Sequence, residues 1–132
     1  MDSFIINFTP TGMVPTRDLS PYVPIEPAEI IREVLDARQY GISIVHLHAR
    51  DEHGKPTWRK EIFQEIIDGI RAEDGYGENA LIICVSTSGR HWPDFERRSE
   101  CLVCGNLNSY QCFSIYFFDR SRRSDGDIVG VM

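Results

Sequence analysis

Two histidines separated by a single residue are the feature of this sequence best suited to chemistry. His46 and His48 end the apolar run ISIVHLH at residues 42–48, a pattern that predicts a strand. Side chains at positions i and i+2 of a strand point to the same side, so both imidazoles would project together. Neutral imidazoles bind divalent metals, and at this spacing both rings can reach one ion. We predict a metal site here; the alternative is that both rings cap the strand by bonding to its backbone.

A second polar segment, STSGR, ends the strand predicted at residues 80–86. The hydroxyls of Ser86 and Ser88 and the backbone at Gly89 would leave the strand toward a helix, where they can bind an anion or a carbonyl oxygen. A Ser/Thr-rich helix cap has the same composition and is the alternative. Because the carboxyl ends of parallel strands meet at one edge of a sheet, we expect this segment beside the histidine pair.

Thr11, Gly12 and Arg50 complete the candidate site. Thr11 and Gly12 follow the first predicted strand, residues 4–9, and would border the same pocket. Arg50 comes directly after the histidine segment and could bind a substrate carboxylate through a bidentate fork. It could equally form an exposed ion pair with Asp51, which would contribute little to stability. The sequence leaves both interpretations of Arg50 open.

The other histidine and cysteine patterns favour structural roles. His53 precedes Gly54 in a predicted turn, where we expect it to be solvated. Cys84 lies inside a predicted strand and is expected to be a small buried residue. Cys101 and Cys104 are spaced Cys-x-x-Cys, but no second metal-spaced pair follows and the strand-then-helix context of the redox motif is lacking. Four unevenly placed cysteines do not make a disulfide scaffold, so we expect a cytoplasmic protein.

Alternating strands and helices must position these residues. Residues 4–9, 42–48 and 80–86 form β-branched or apolar runs that predict strands. Pro27 suits the first position of a helix whose apolar residues then repeat at helical spacing. A second amphipathic helix follows the histidine strand, and a third follows Pro93. This order predicts right-handed βαβ units around a parallel sheet, and therefore an α/β fold.

Composition excludes several classes of protein. The chain has 132 residues, the length of one average domain. Its net charge of −6 argues against nucleic-acid binding, which usually needs a basic surface. No run of about 18 apolar residues is present, so we expect no membrane-spanning helix. The N-terminus carries Asp2 and no basic region, unlike a secretory signal.

The charge is divided unevenly along the chain. Residues 1–100 carry 11 basic and 17 acidic side chains, which account for the whole net charge, whereas residues 101–132 carry three of each. After Glu100 the sequence has no further Glu, Lys, His or Pro, yet three of the four cysteines lie there. We therefore expect one unit over residues 1–102 and a divergent tail, truncated or frameshifted, over residues 103–132.

Several of these segments together resemble the β-keto acid cleavage enzymes. They are the loop TPTGMVPT, the helix start PIEPAEII, the strand and turn IVHLHARDEHGKPTWRKEIF, and the strand end VSTSGR. The resemblance covers about residues 4–102, and its most specific part is the His-Leu-His-x-Arg-Asp segment. The family includes the 3-keto-5-aminohexanoate cleavage enzyme of lysine degradation.

This resemblance implies the N-terminal three to four βα units of a (β/α)8 barrel. It implies a zinc ion held by His46, His48 and a late-strand glutamate that this chain does not contain. The implied reaction is a Claisen-type exchange, in which a β-keto acid and acetyl-CoA give acetoacetate and a new acyl-CoA. Ser86 would be the catalytic residue that positions the substrate or its developing oxyanion, and Arg50 would contact the substrate. Members of the family form homo-oligomers.

Two departures from the family pattern stand out. Val14 occupies a position where some members have a carboxylate, so the substrate differs from an aminated one or proton transfer lies elsewhere. No segment of residues 103–132 aligns with a barrel strand. Two alternatives stay open: a different His-x-His metal hydrolase, and a non-catalytic gene product. We expect the latter to self-associate, since three or four parallel strands leave an unpaired edge.

Overall fold

A computed structural model describes residues 4–88 and 91–107, together with the backbone of residues 112–114. In chain order, the elements of this part of the chain are β1 (Asn7–Phe8), α1 (Pro27–Arg38), β2 (Ile44–Leu47), β3 (Ala49–Arg50), β4 (Pro56–Thr57), α2 (Lys60–Asp74), β5 (Ile82–Ser86), α3 (Phe95–Arg98), a 3-10 helix (Glu100–Val103) and β6 (Cys112–Ser114). No helix among the described residues is long and apolar enough to cross a membrane.

Four of the strands form one sheet, in the order β1-β2-β5-β6. Each neighbouring pair in this order runs parallel. Parallel neighbours need a crossover connection, and α1 and α2 provide it between the first three strands. The α/β fold with a parallel sheet, predicted from the alternation of elements, is confirmed.

The fourth strand of this sheet lies in the tail that follows residue 103. β6 pairs with β5 so that Cys112 is opposite Cys84 and Ser114 is opposite Ser86. No part of this tail was expected to align with a barrel strand, and the presence of β6 in the parallel sheet corrects that expectation. The physical reason is length: three residues carry too little periodicity to be recognised alone, and pairing with a buried neighbour defines such a strand.

α1 begins at the residue from which the sequence predicts it. Pro27 lies in its first turn. The Glu29 carboxylate accepts hydrogen bonds from the backbone N–H groups of Ile25 and Glu26, at 2.9 and 3.0 Å. It also pairs with the Arg17 guanidinium at 2.7 Å. These contacts lower the pKa of Glu29, the hydrogen bond from Ile25 being the largest cause. These contacts connect the start of α1 to the proline-rich loop before it.

α1 and α2 cover one face of the sheet. Gly69 lies where the two helices approach each other, and a Cβ atom there would be 2.3 Å from Cδ1 of Ile31. The lack of a side chain at this position therefore lets the helices pack closely. The larger apolar residues of the resulting core are Ile30, Val34, Val45, Leu47, Phe63, Ile66, Ile67, Ile70, Leu81, Ile83 and Val85.

The two faces of the sheet differ in burial. Val45 and Leu47 of β2 are fully buried in the helix-covered core. Ile44 and His46 alternate with them along the same strand and are only half-buried. Since side chains alternate across a strand, His46 projects from the face that the helices leave open.

A short hairpin follows β2 and borders its carboxyl end. β3 pairs antiparallel with β4, and Gly54 in the turn has a φ of +71°, which favours glycine. The Asp51 carboxylate accepts hydrogen bonds from the backbone N–H groups of His53 and Lys55, both at 2.9 Å. The predicted turn is confirmed, and His53 is exposed in it as expected.

α3 confirms the helix predicted after Pro93, but it is only four residues long. The Asp94 side chain caps its start by accepting a hydrogen bond from the backbone N–H of Glu96 at 3.0 Å. A 3-10 helix continues from it, and there Cys101 is fully buried against the core. The chain thus returns from the end of β5 toward α2.

Candidate metal and substrate site

The two predicted metal ligands lie side by side. The ring centres of His46 and His48 are 5.0 Å apart, and the ring planes are inclined at 65°. Two imidazoles bound to one zinc ion, with Zn–N distances of about 2.0–2.1 Å and a tetrahedral angle between them, have ring centres about 5 Å apart. The spacing of the two rings therefore fits two ligands of a single ion.

Burial favours the neutral form of both rings. Desolvation, with smaller contributions from the charges of His46 and Arg50, lowers the pKa of His48 to about 4. Desolvation also lowers the pKa of His46. A histidine must be unprotonated to bind a metal. Both side chains therefore have a nitrogen lone pair available near neutral pH.

The described residues supply only two ligands to such a site. Over residues 4–88 and 91–107 there is no group of three or more His, Cys, Asp or Glu side chains that could hold a metal ion. A catalytic zinc generally takes three protein ligands and keeps a fourth position open. A zinc ion at this place would therefore need a further ligand from elsewhere.

His46 also contacts a cysteine on the neighbouring strand. Its Nδ1 lies 3.2 Å from Sγ of Cys84. The expectation that Cys84 is buried is confirmed, since its residue is 3% exposed. The contact itself was not predicted, because it depends on the register between β2 and β5, which the sequence of either strand does not reveal.

A small cleft opens beside His48. Ser86 and Ser88, at the end of β5, line it together with His48, so two strand ends contribute polar groups to one cavity. The backbone N–H of Ser88 donates to Oγ of Ser86 at 3.4 Å. The other lining residues are Met13, Ala49, Thr57, Trp58, Phe63, Trp92 and Arg98. The predicted catalytic serine and one predicted metal ligand thus share a cleft.

Arg50 is buried and holds the loops around the site. Its Nη2 donates to the backbone carbonyls of Gly12 and of Pro15, the latter at 2.8 Å. Its Nη1 donates to the carbonyl of Gly54 at 3.0 Å. The alternative of an exposed ion pair with Asp51 is wrong, because the residue is only 2% exposed and its guanidinium is directed at these carbonyls.

The remaining predicted contacts lie outside the cleft lining. Thr11 is 3% exposed, and its Oγ1 has no hydrogen-bond partner among the described residues. Nε of Arg50 is likewise buried without such a partner in the described part of the chain. Gly12 joins this group through its carbonyl, which accepts from Arg50. Gly89 lies outside the described residues.

A match to a known family model identifies the family of this chain. Residues 3–128 match the model of the beta-keto acid cleavage enzymes. The chain belongs to the β-keto acid cleavage enzyme family. The match runs past residue 103 and so includes most of the tail for which divergence was expected. The division into residues 1–102 and 103–132 stays a prediction.

Two curated relatives each match about half of this family member. The 3,5-dioxohexanoate:acetyl-CoA acetone transferase of Paraburkholderia graminis is 44% identical over 70 residues, which are 52% of this chain and 23% of the relative. The 3-keto-5-aminohexanoate cleavage enzyme of Acetoanaerobium sticklandii is 38% identical over 71 residues, 54% of this chain and 26% of the relative. The chain thus spans about a quarter of the length of these relatives.

The solved structure of ObcA in a ternary complex with a C4-CoA adduct and oxalate shares the fold of this family member. The TM-score is 0.52 and the sequence identity 25%, over 61% of this chain and 20% of ObcA. The agreement supports the parallel arrangement of the sheet.

Three cleft residues of this family member were not predicted. Trp58 and Trp92 form an edge-to-face pair with ring centres 5.2 Å apart. Arg98 is buried at the cleft, and its Nη1 donates to the carbonyl of Thr87 at 3.1 Å. One indication of the aromatic pair was present in the sequence: Trp58 follows the histidine segment closely, and Trp92 follows the segment STSGR. The aromatic pair lines the same cleft as Ser86.

The thiols of the Cys-x-x-Cys segment are buried rather than reactive. Desolvation raises the pKa of Cys101 to about 12 and that of Cys104 to about 11. Their Sγ atoms lie 3.6 Å from the carbonyl oxygen of Ser86 and 3.5 Å from that of Lys60. A thiolate is the reactive form, so neither environment favours redox or metal chemistry.

Proposed function

We propose that these βα units form the N-terminal part of a (β/α)8 barrel that exchanges the acyl groups of a β-keto acid and acetyl-CoA. Four parallel strands in sequential spatial order support the barrel. The observation that carries the function is the cleft shared by His48 and Ser86 in a member of the β-keto acid cleavage family. The products proposed are acetoacetate and a new acyl-CoA.

The proposed cofactor is zinc, which His46 and His48 would hold. The chemistry that this ion supplies when bound is polarisation of the keto group of the substrate. Burial of both imidazoles keeps them unprotonated for this role. The spacing of their ring centres supports the proposal, since it fits a shared ion.

Ser86 is proposed as the residue that acts on the developing oxyanion. Its hydroxyl can donate a hydrogen bond to the substrate oxygen while its Oγ accepts the backbone N–H of Ser88. Trp58 and Trp92 keep water away from the reacting groups. Arg50, whose guanidinium is engaged with loop carbonyls, shapes the first loop around the substrate. Val14 lies on the same loop and is 57% exposed. Because valine has no carboxylate, this position would not select an aminated substrate.

The first test is metal content. Zinc titrated into the purified chain should bind at one site per chain at equilibrium, with solvent in the positions that the chain does not fill, and His46→Ala and His48→Ala should each lose that site. His53→Ala is the matched control, because His53 is exposed in the hairpin turn and should leave the zinc content unchanged. Retention of zinc by both site variants would exclude the proposed metal site.

The second test is dependence on acetyl-CoA. The zinc-loaded protein is incubated with 3,5-dioxohexanoate, with and without acetyl-CoA, and acetoacetate and the new acyl-CoA are quantified. We expect both products only when acetyl-CoA is present, and a loss of about 10²–10³-fold in kcat for Ser86→Ala. Consumption of the β-keto acid without acetyl-CoA would favour a His-x-His hydrolase instead. Zinc binding without any turnover would favour a non-catalytic chain.

A further inference from the structure

The register of the sheet places a thiol opposite one of the two candidate metal ligands. β2 and β5 pair in parallel with His46 opposite Cys84. Directly opposed residues of neighbouring strands project from the same face of a sheet, so the imidazole and the thiol share the face that the helices leave open. The two residues are 38 positions apart in sequence, and only this register brings them together.

The contact between them joins one ring nitrogen of His46 to the sulfur of Cys84. Nδ1 of His46 lies 3.2 Å from Sγ of Cys84, within hydrogen-bond range for sulfur. A neutral imidazole carries its proton on one nitrogen and a lone pair on the other. If Nδ1–H donates to the sulfur, the lone pair lies on Nε2, which is the nitrogen left for an ion shared with His48.

We propose that Cys84 is a positioning residue for His46: its sulfur accepts the Nδ1–H bond and thereby holds the ring with Nε2 free for a divalent metal. The inference rests on the metal site of the proposed function and adds to it a residue that contacts the ligand, not the ion. Partners of this kind usually orient metal-binding histidines, and their loss typically weakens metal binding by about 10–100-fold. A thiol in this role is buried and therefore shielded from solvent competition.

The tautomer of His46 can be measured without any metal. Long-range ¹H–¹⁵N correlation spectra of the metal-free protein should show His46 protonated at Nδ1 in the wild type. Cys84→Ala should shift His46 toward a mixture of tautomers, and Cys84→Ser should restore the Nδ1–H form, because a hydroxyl also accepts a hydrogen bond. A His46 ring protonated at Nε2 in the wild type would overturn the inference.

Zinc affinity is the second readout, measured by competition with a chromophoric chelator. We expect Cys84→Ala to bind zinc 10–100-fold more weakly and Cys84→Ser to recover to within about threefold of the wild type. Cys104→Ala is the matched control, since it removes a buried thiol that contacts the carbonyl of Lys60 instead of a histidine. Its zinc affinity should equal that of the wild type.

The outcomes separate this inference from the proposed function. A wild type that binds no zinc contradicts both, and the metal-free spectra then show whether the Nδ1–Sγ contact itself exists. A wild type that binds zinc, with Cys84→Ala binding it equally well, overturns only the role of Cys84. Loss of zinc in Cys84→Ser as large as in Cys84→Ala would make the sulfur a metal ligand, which also contradicts a positioning role.

Discussion

The two ends of the sheet differ in how completely their buried polar groups are hydrogen-bonded. At the amino end, before β5, the Asp74 carboxylate accepts from Nε of Arg38 at 2.9 Å and from the backbone N–H of Leu81 at 2.6 Å. Arg71 contacts the same carboxylate at 3.4 Å and donates to the carbonyl of Leu81 at 2.9 Å. This network joins the end of α2 to the start of β5, and its Asp74 and Arg71 side chains are almost fully buried.

At the carboxyl end, pairing is incomplete for two buried polar atoms. Oγ1 of Thr11 and Nε of Arg50 are buried without a hydrogen-bond partner in the described part of the chain. Both imidazoles of the histidine pair are kept neutral by burial. The contrast predicts that substitutions at the amino end destabilise the fold more than substitutions of the unpartnered groups at the carboxyl end.

Asp74→Ala provides the largest test of this contrast. It removes the carboxylate from two buried or half-buried guanidinium groups, and breaking such a network typically costs about 3–5 kcal/mol. We expect the free energy of unfolding, measured with urea, to fall by about 3 kcal/mol. The zinc affinity of the protein that remains folded should not change.

Asp36→Ala is the control for this variant. Asp36 is an exposed residue of α1, and its substitution should change the free energy of unfolding by less than about 0.5 kcal/mol. Equal effects of the two alanine variants would show that the network at the amino end does not stabilise the fold. A loss of zinc binding in Asp74→Ala would show that the two ends are not independent.

Local patterns made much of this arrangement predictable. Proline at a helix start and apolar residues at helical spacing identified α1, and β-branched runs identified the strands on either side of it. The juxtaposition of His46 and His48 was predictable for the same reason, since an i, i+2 pair in a strand needs no knowledge of the rest of the fold.

Features that depend on distant partners were not predictable. Whether Arg50 is buried depends on the carbonyls of Gly12 and Pro15, which are 38 and 35 positions away. The contact of His46 with Cys84 depends on strand register, and β6 is defined by its pairing with β5. In each case the residue type permits several roles, and the tertiary neighbour selects one.

A smaller change in stability is expected when the pH is lowered, and we attribute it to His48 at the carboxyl end of the sheet. The pKa of His48 is about 4 in the folded protein and about 6.5 in an unfolded chain. Between these values the unfolded chain binds the proton more readily, so stability is highest above pH 6.5 and is lost as the pH falls toward 4. For metal-free protein we expect a loss on the order of 2 kcal/mol from this residue, allowing for its partial exposure.

Urea unfolding at pH 7.5 and 4.5 in the presence of a chelator measures this loss. His48→Gln should lack that part of the pH dependence, whereas His53→Gln, in the exposed turn, should retain it. The difference between the two variants removes the contribution of carboxylates such as Glu29, whose lowered pKa also weakens the fold in acid. The same pH dependence in both variants would show that His48 is not desolvated in the folded protein.

The smallest expected effect has the opposite sign and comes from Thr11→Val. Burial of a hydroxyl without a partner costs free energy, and an apolar group of the same shape removes that cost. We expect the variant to be about 1 kcal/mol more stable in urea unfolding. Thr57→Val is the matched control, because Oγ1 of Thr57, also buried, accepts the backbone N–H of Arg59 at 3.3 Å and its loss should destabilise by about 1 kcal/mol.

The signs of these two changes matter more than their sizes. Both substitutions replace a buried threonine with valine, so the change in side-chain shape is the same in the pair, although Thr11 lies in the loop after β1 and Thr57 in β4. Destabilisation by Thr11→Val as large as that by Thr57→Val would mean that the Thr11 hydroxyl is already paired within the protein. A gain in stability would mean that the unpaired hydroxyl of Thr11 lowers the free energy of unfolding, as expected of a group whose partner is a ligand.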